Sequence, residues 1–343
     1  MDEVIIFSIC FLLLSFVFFF RRFRQTRIIV PHNSLGLKYD AELYANVIPR
    51  SYVVYINWKS PRRHWDYWRF SKANVFVERS QIGKGFPSLH NYLLPNPEFF
   101  HVKGTLPDVF LCKTQYTQRV LSQLGKVVYV GHTSFDCGGY GKAKDENLMV
   151  LFAGKSWLKN VDKAIEAWLR NPDFPRLVVT CSKKKLLEKF GEIEPRDNLT
   201  IYERLSDEQL NAYAQAAGAF LCPSSIEGFG HYINEGRAAG ALVITTDFPP
   251  MNELVDDSSG ILISVDNVVD ASTLVGQTDF GFDYDDAFEL KAVTLSVENI
   301  EAAIRRYMAM PVEERQVRRE KSRHRYLVER DAWKTRILAL LGG

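Results

Sequence analysis

Beyond residue 27 the hydrophobic pattern alternates between two periods. Short runs rich in β-branched and aromatic residues read as strands, each followed by a polar turn or a stretch with helical spacing. RIIVP, SYVVYINW, ANVFVERS, DVFLCKT and KVVYVG are the strands expected in the first half. NSLGLKYDAELYANVI reads as a loop and helix after the first strand, and QYTQRVLSQLG as a helix before the last. The glycines at 138, 139 and 141 then interrupt the pattern with a polar stretch, which reads as a hinge.

The alternation restarts more regularly. NLMVLFAG, RLVVTCS, NLTIYER, AFLCPS and ALVITTD read as strands separated by helices, one of which, SDEQLNAYAQA, begins with a capping Ser206 and acidic residues in its first turn. Strand–helix alternation of this kind predicts parallel sheets with helices on both faces. The expected class is α/β, with two Rossmann-like domains over 28–140 and 147–295 facing a cleft, and helices over 296–341. Ligands of such sheets bind at the carboxyl ends of the strands.

The first residues differ. Val4 to Phe20 carry no charge, an acidic MDE precedes them, and Arg21, Arg22, Arg24 and Arg27 follow. As a helix this run is about 25 Å long, enough for a short membrane span. The basic flank predicts a retained single-pass anchor over 4–20 with the rest of the chain on the cytosolic face, where the arginines meet anionic head groups. An acidic start and a basic end argue against a cleaved signal peptide.

A length of 343 residues suits two domains. The net charge is only +2, which excludes a wholesale nucleic-acid binder. The five cysteines are widely spaced, without the pairing of a zinc or redox motif, and read as free thiols of a reducing compartment.

The chemistry concentrates in PSSIEGFGHYINEGRAAGALVITTDFPPMNELV, residues 223 to 255. Glu227 and Glu235 stand eight positions apart, with Gly228, Phe229 and Gly230 opening the helix between them. Glycines permit close backbone approach to a ligand, and free amides at a helix start attract an anion such as a diphosphate. From spacing alone, Glu227 reads equally well as an N-terminal helix charge and Glu235 as a surface residue.

This stretch resembles the signature of the group-1 glycosyltransferases, retaining enzymes of GT-B fold: a glutamate, Gly-Phe-Gly, a second glutamate eight positions on, a small-residue helix end at Ala238, Ala239 and Gly240, a strand at Val243 to Thr246, and an acidic residue at Glu253. The resemblance runs from about Asn147 to Leu262. It implies transfer of a sugar from a nucleotide-diphosphate donor to a glycan, lipid-linked or protein hydroxyl, with Glu227 on the sugar and Glu235 on the ribose. The amides of Gly228, Phe229 and Gly230 would face the sugar and diphosphate. LFAGKSWLKNVDKAIEA is similar to the family's basic segment, which implies Lys155 and Lys159 as cations for the leaving diphosphate. The family has arginine where Lys155 stands and glycine where Asn160 stands; lysine keeps the charge without the bidentate fork, and asparagine tolerates a left-handed turn.

By the same resemblance, Leu205 and Leu210 lie on the base side, Gly36 approaches the donor phosphates, the last helix crosses back to the first domain, and a histidine of that domain sits near the reacting sugar. His32, His90, His101 and His132 are available, and the sequence does not choose among them. The family needs no metal or other cofactor; DYDD at 283–286 would be the metal site of the other glycosyltransferase fold. A membrane-tethered nucleotide-sugar-binding protein without turnover is the alternative. A dehydrogenase is disfavoured because no Gly-x-Gly-x-x-Gly follows a first strand.

Overall fold

The structure, a computed structural model, describes residues 25–31, 35–57, 65–78, 85–99, 105–275 and 289–342. Its first sheet holds β1 (Thr26–Pro31), β2 (Ser51–Ile56), β3 (Ser71–Val77), β4 (Ser88–Leu94), β5 (Val109–Cys112) and β6 (Val127–Tyr129). They are ordered β2-β1-β3-β4-β5-β6, and every pairing is parallel. Alternation explains why both faces are covered. Ile29 points into one apolar cluster, while Ile28 and Val30 point into another on the opposite face.

The second sheet holds β7 (Asp145–Gly154), β8 (Arg176–Cys181), β9 (Leu199–Tyr202), β10 (Ala217–Cys222), β11 (Leu242–Thr246) and β12 (Gly260–Ile263). Its order, β12-β11-β10-β7-β8-β9, is again all parallel. Leu148 to Leu151 are all buried at its centre, as expected of a strand covered on both sides. Counted from β7, the order is the doubly wound 3-2-1-4-5-6, with the switch point between β7 and β10. The loops leaving those two strands therefore open into a crevice.

β4 is absent from the strands expected by pattern. Its sequence, SLHNYLL, mixes Ser88, His90 and Asn91 into the run. The polar groups are satisfied within the sheet: Asn74 donates to Phe86 O and Asn91 Oδ1, and Arg27 is buried beside it, donating to Asn74 Oδ1.

The last helix, Val312–Leu341, ties the halves together. Arg315 and Arg319 pair with Glu146 at the start of β7. Arg237 of the second domain pairs with Glu329. Further along, Trp333, Ile337 and Leu341 pack into the core of the first sheet. One rod thus holds the second domain by ion pairs and the first by its core.

The expectation of a single-pass membrane protein facing the cytosol is corrected. Among the described residues no helix is long and apolar enough to cross a membrane. The longest, Val312–Leu341, is studded with arginine and glutamate that pair with the protein body. The apolar run 4–20 lies outside the described residues.

Candidate active site

The switch-point loops of the second sheet bring two of the expected site residues, Lys159 and Glu227, together. Asn160 adopts the left-handed conformation that its place in the turn requires, with φ 46°. Its side chain donates to Pro223 O at 2.7 Å and to Ser225 Oγ at 2.8 Å, joining the loop after β7 to the loop after β10. This junction sets Lys159 against Glu227, with Nζ 3.9 Å from Oε1 and 3.7 Å above the Tyr232 ring. Ser224 Oγ donates to Glu227 Oε1 at 2.6 Å, fixing the carboxylate further.

Gly228, Phe229 and Gly230 follow, all buried, and Gly230 has φ 98°, a conformation that favours glycine. The helix His231–Ala239 starts there. The Phe229 ring is core rather than lining, packed edge-on against His132 at 4.8 Å. Glu235 is half-buried one turn on. Burial first, and then the charge of Glu235, push the Tyr39 phenol up.

The other expected residues are more scattered. Lys155 is exposed on the loop after β7. Gly36 is exposed, and a methyl group built on it would meet nothing within 4 Å. Leu205 is buried and Leu210 half-buried, flanking the Ser206 capping box. Glu253 bridges the domains: its carboxylate accepts from the Gln115 and Tyr116 amides of the first domain at 2.8 and 2.7 Å. DYDD, His32 and His101 lie outside the described residues, and His90 is exposed.

Facing this crevice are the carboxyl ends of the first sheet, which carry His132, one of the four candidate histidines, beside residues not singled out by sequence. Asp40, on the helix after β1, is buried and accepts three bonds. Lys113, just after β5, donates to Oδ2 at 2.6 Å; His132 and His231 each approach Oδ1 through Nε2 at 2.8 Å. His231 belongs to the second domain and His132 follows β6, so one carboxylate gathers both halves. Burial alone would raise the Asp40 pKa, but Lys113 and His132 outweigh it and hold the carboxyl well below its usual range. Burial lowers the His132 pKa to about 3 against the pull of Asp40, so this imidazole is neutral near pH 7.

Asp40, His132 and His231 present ligand atoms within 4.8 Å of one another, the spacing of a metal cluster. The geometry is that of hydrogen bonding instead. Both imidazole nitrogens address a single carboxylate oxygen, and the Lys113 ammonium holds the other, where it would repel a second cation.

Beside this network the loop after β4 presents Asn96 and Glu98. Lys113 Nζ also donates to Asn96 Oδ1 at 2.7 Å, and Asn96 donates to Glu78 at 3.3 Å. A methyl group built on Gly228 would fall 2.8 Å from both Asn96 Oδ1 and Glu98 Oε2. Only glycine lets the two domains approach this closely.

Comparison with known proteins agrees with this architecture. The model of the family described as "Glycosyl transferases group 1" matches residues 138–276. A GDP-mannose:cellobiosyl-diphosphopolyprenol alpha-mannosyltransferase from Xanthomonas oryzae pv. oryzae is 35% identical over 95 residues, 27% of this chain and 25% of that protein. The enzyme of the same name from Xanthomonas campestris is 28% identical over 147 residues, 40% of this chain and 38% of that protein. The chain thus matches well under half the length of these relatives. Among solved structures, Anabaena Alr3699/HepE in complex with UDP and glucose superposes with a TM-score of 0.64 at 10% identity, covering 93% of this chain and 99% of that one. Sucrose-phosphate synthase from Thermosynechococcus elongatus gives 0.62 at 12% identity, covering 92% and 97%. At such identities the likeness is one of fold. The two facing parallel sheets are a GT-B fold. Residues 138–276 are a group-1 glycosyltransferase domain.

Proposed function

We propose that the chain is a nucleotide-sugar-dependent glycosyltransferase that retains anomeric configuration. The observation that supports this best is the switch-point assembly: Glu227 held by Ser224 and Lys159, at the mouth of a glycine-opened helix. The amides at that helix start suit a diphosphate. Lys159, with the exposed Lys155 moving in, neutralises the departing phosphate. Glu227 orients the donor sugar and Glu235 the ribose. In the transfer, the acceptor oxygen bonds to the anomeric carbon as the bond from that carbon to the phosphate oxygen breaks. The hydroxyl proton passes to the departing phosphate. The clustered contacts between domains exclude water, which would otherwise hydrolyse the donor.

No metal has a role in this scheme, because the lysines supply the positive charge. The acceptor is a glycan, lipid-linked or protein hydroxyl. The Xanthomonas relatives make GDP-mannose the first donor to try. Protection against thermal unfolding by UDP-, GDP- and ADP-sugars identifies the donor, and release of nucleoside diphosphate measures turnover. Donor affinity without turnover would favour a binding protein, and no affinity for any of them would refute the reading.

A further inference from the structure

Glu98 is used by none of the contacts described so far. It is 9% exposed, and its Oε2 has no hydrogen-bond partner among the described residues. A buried polar atom left unpaired costs free energy, so its persistence calls for a partner that arrives later. Both of its carboxyl oxygens lie against Gly228, the residue next to Glu227. Burial, followed by the charge of Glu227, raises its pKa to about 8. Near neutral pH its carboxyl therefore carries a proton and can both donate and accept a hydrogen bond. Its neighbour Lys113 is already paired with Asp40.

We propose that Glu98 and Glu227, one from each domain, clamp the hydroxyls of an uncharged sugar, making the site selective for neutral over uronic-acid glycosyl donors. A neutral hexose ring offers hydroxyls that donate to the Glu227 carboxylate and exchange hydrogen bonds with Glu98. A uronate would replace one such hydroxyl by a second anion beside the Glu227 carboxylate, losing a hydrogen bond and adding a repulsion that a desolvated site does not screen. Because the grip comes from both domains, the sugar itself favours the closed cleft.

This inference rests on the nucleotide-sugar reading, and the test separates the two. Titration calorimetry compares UDP and GDP with UDP-glucose, UDP-glucuronate, GDP-mannose and GDP-mannuronate, on the wild type and on Glu98→Gln. In the wild type the neutral sugar nucleotide should bind about 10-fold more tightly than its uronate, as expected for loss of one charged hydrogen bond. Glu98→Gln should weaken neutral-sugar binding by several-fold, leave nucleoside-diphosphate affinity unchanged, and so report that the fold is intact. Equal affinity for neutral and uronate donors in the wild type overturns the clamp without needing any variant. So does a Glu98→Gln protein whose neutral-sugar affinity is unaltered. Failure of the wild type to bind UDP, GDP or, titrated alongside them, ADP would instead overturn the nucleotide-sugar reading.

Discussion

Removing the charge of Glu98 should change how stability depends on pH. Its folded pKa, about 8, lies above its unfolded value near 4.5. A raised carboxyl binds more protons folded than unfolded between these values, so its favourable contribution, complete below 4.5, is lost as pH rises to 8. His132 acts in the opposite sense: its folded pKa of about 3 lies below 6.5, so stability grows as pH rises through that window and is level above it. The two oppose each other between 4.5 and 6.5. From 6.5 to 8 the Glu98 effect is what separates the wild type from Glu98→Gln, at about 1.4 kcal/mol per pH unit over 1.5 units, or about 2 kcal/mol; Lys144, whose pKa burial lowers to about 8, titrates at the upper edge in both proteins. Urea unfolding at pH 6.5 and 8 and constant ionic strength should show that loss in the wild type, while Glu98→Gln stays nearly flat. Glu227, Glu78 and Lys113, the charges acting on Glu98, are common to both proteins. Parallel wild-type and variant curves would refute the burial argument.

Glu235→Ala should weaken nucleoside-diphosphate binding by about 1–3 kcal/mol, the worth of a hydrogen bond to a charged group; unchanged affinity in calorimetry would remove the residue from the site. Lys113→Met leaves the Asp40 carboxylate buried without its ammonium and should cost about 3–5 kcal/mol in denaturant unfolding. A loss below about 1 kcal/mol would mean that the two imidazoles suffice. Turnover should survive EDTA, and loss of activity that manganese restores would show that lysines alone do not carry the leaving-group charge.

The strand–helix alternation was legible because both sheets are parallel and buried on two faces, which forces near-continuous apolar runs such as Leu148 to Leu151. β4 was not, since Ser88, His90 and Asn91 interrupt its pattern, and Ser88 and Asn91 are tied to one another and to Asn74 on the neighbouring strand. In the site, Glu227 and Lys159 stood out because the switch point places both on loops with local signatures. Asp40, Lys113, Glu98 and His231 carry no such signature. They meet through contacts spanning up to 191 positions, which pattern within one segment does not encode. A buried aspartate on a predicted amphipathic helix, and a histidine directly after Gly-Phe-Gly, were the only local hints. The membrane expectation rested on residues 4–20 and their charged flanks, and none of the described helices supports it.

In the proposed mechanism Glu227 orients a sugar for transfer from a nucleotide. The direct measurement is nucleoside-diphosphate release and sugar transfer by the wild type and by Glu227→Gln, starting from the donor that best protects against unfolding. Turnover is expected in the wild type and a loss of about 100-fold in the variant, in the range seen when one preorganised electrostatic contact is removed, with nucleoside-diphosphate affinity retained. Wild-type activity in the folded Glu227→Gln protein would contradict it.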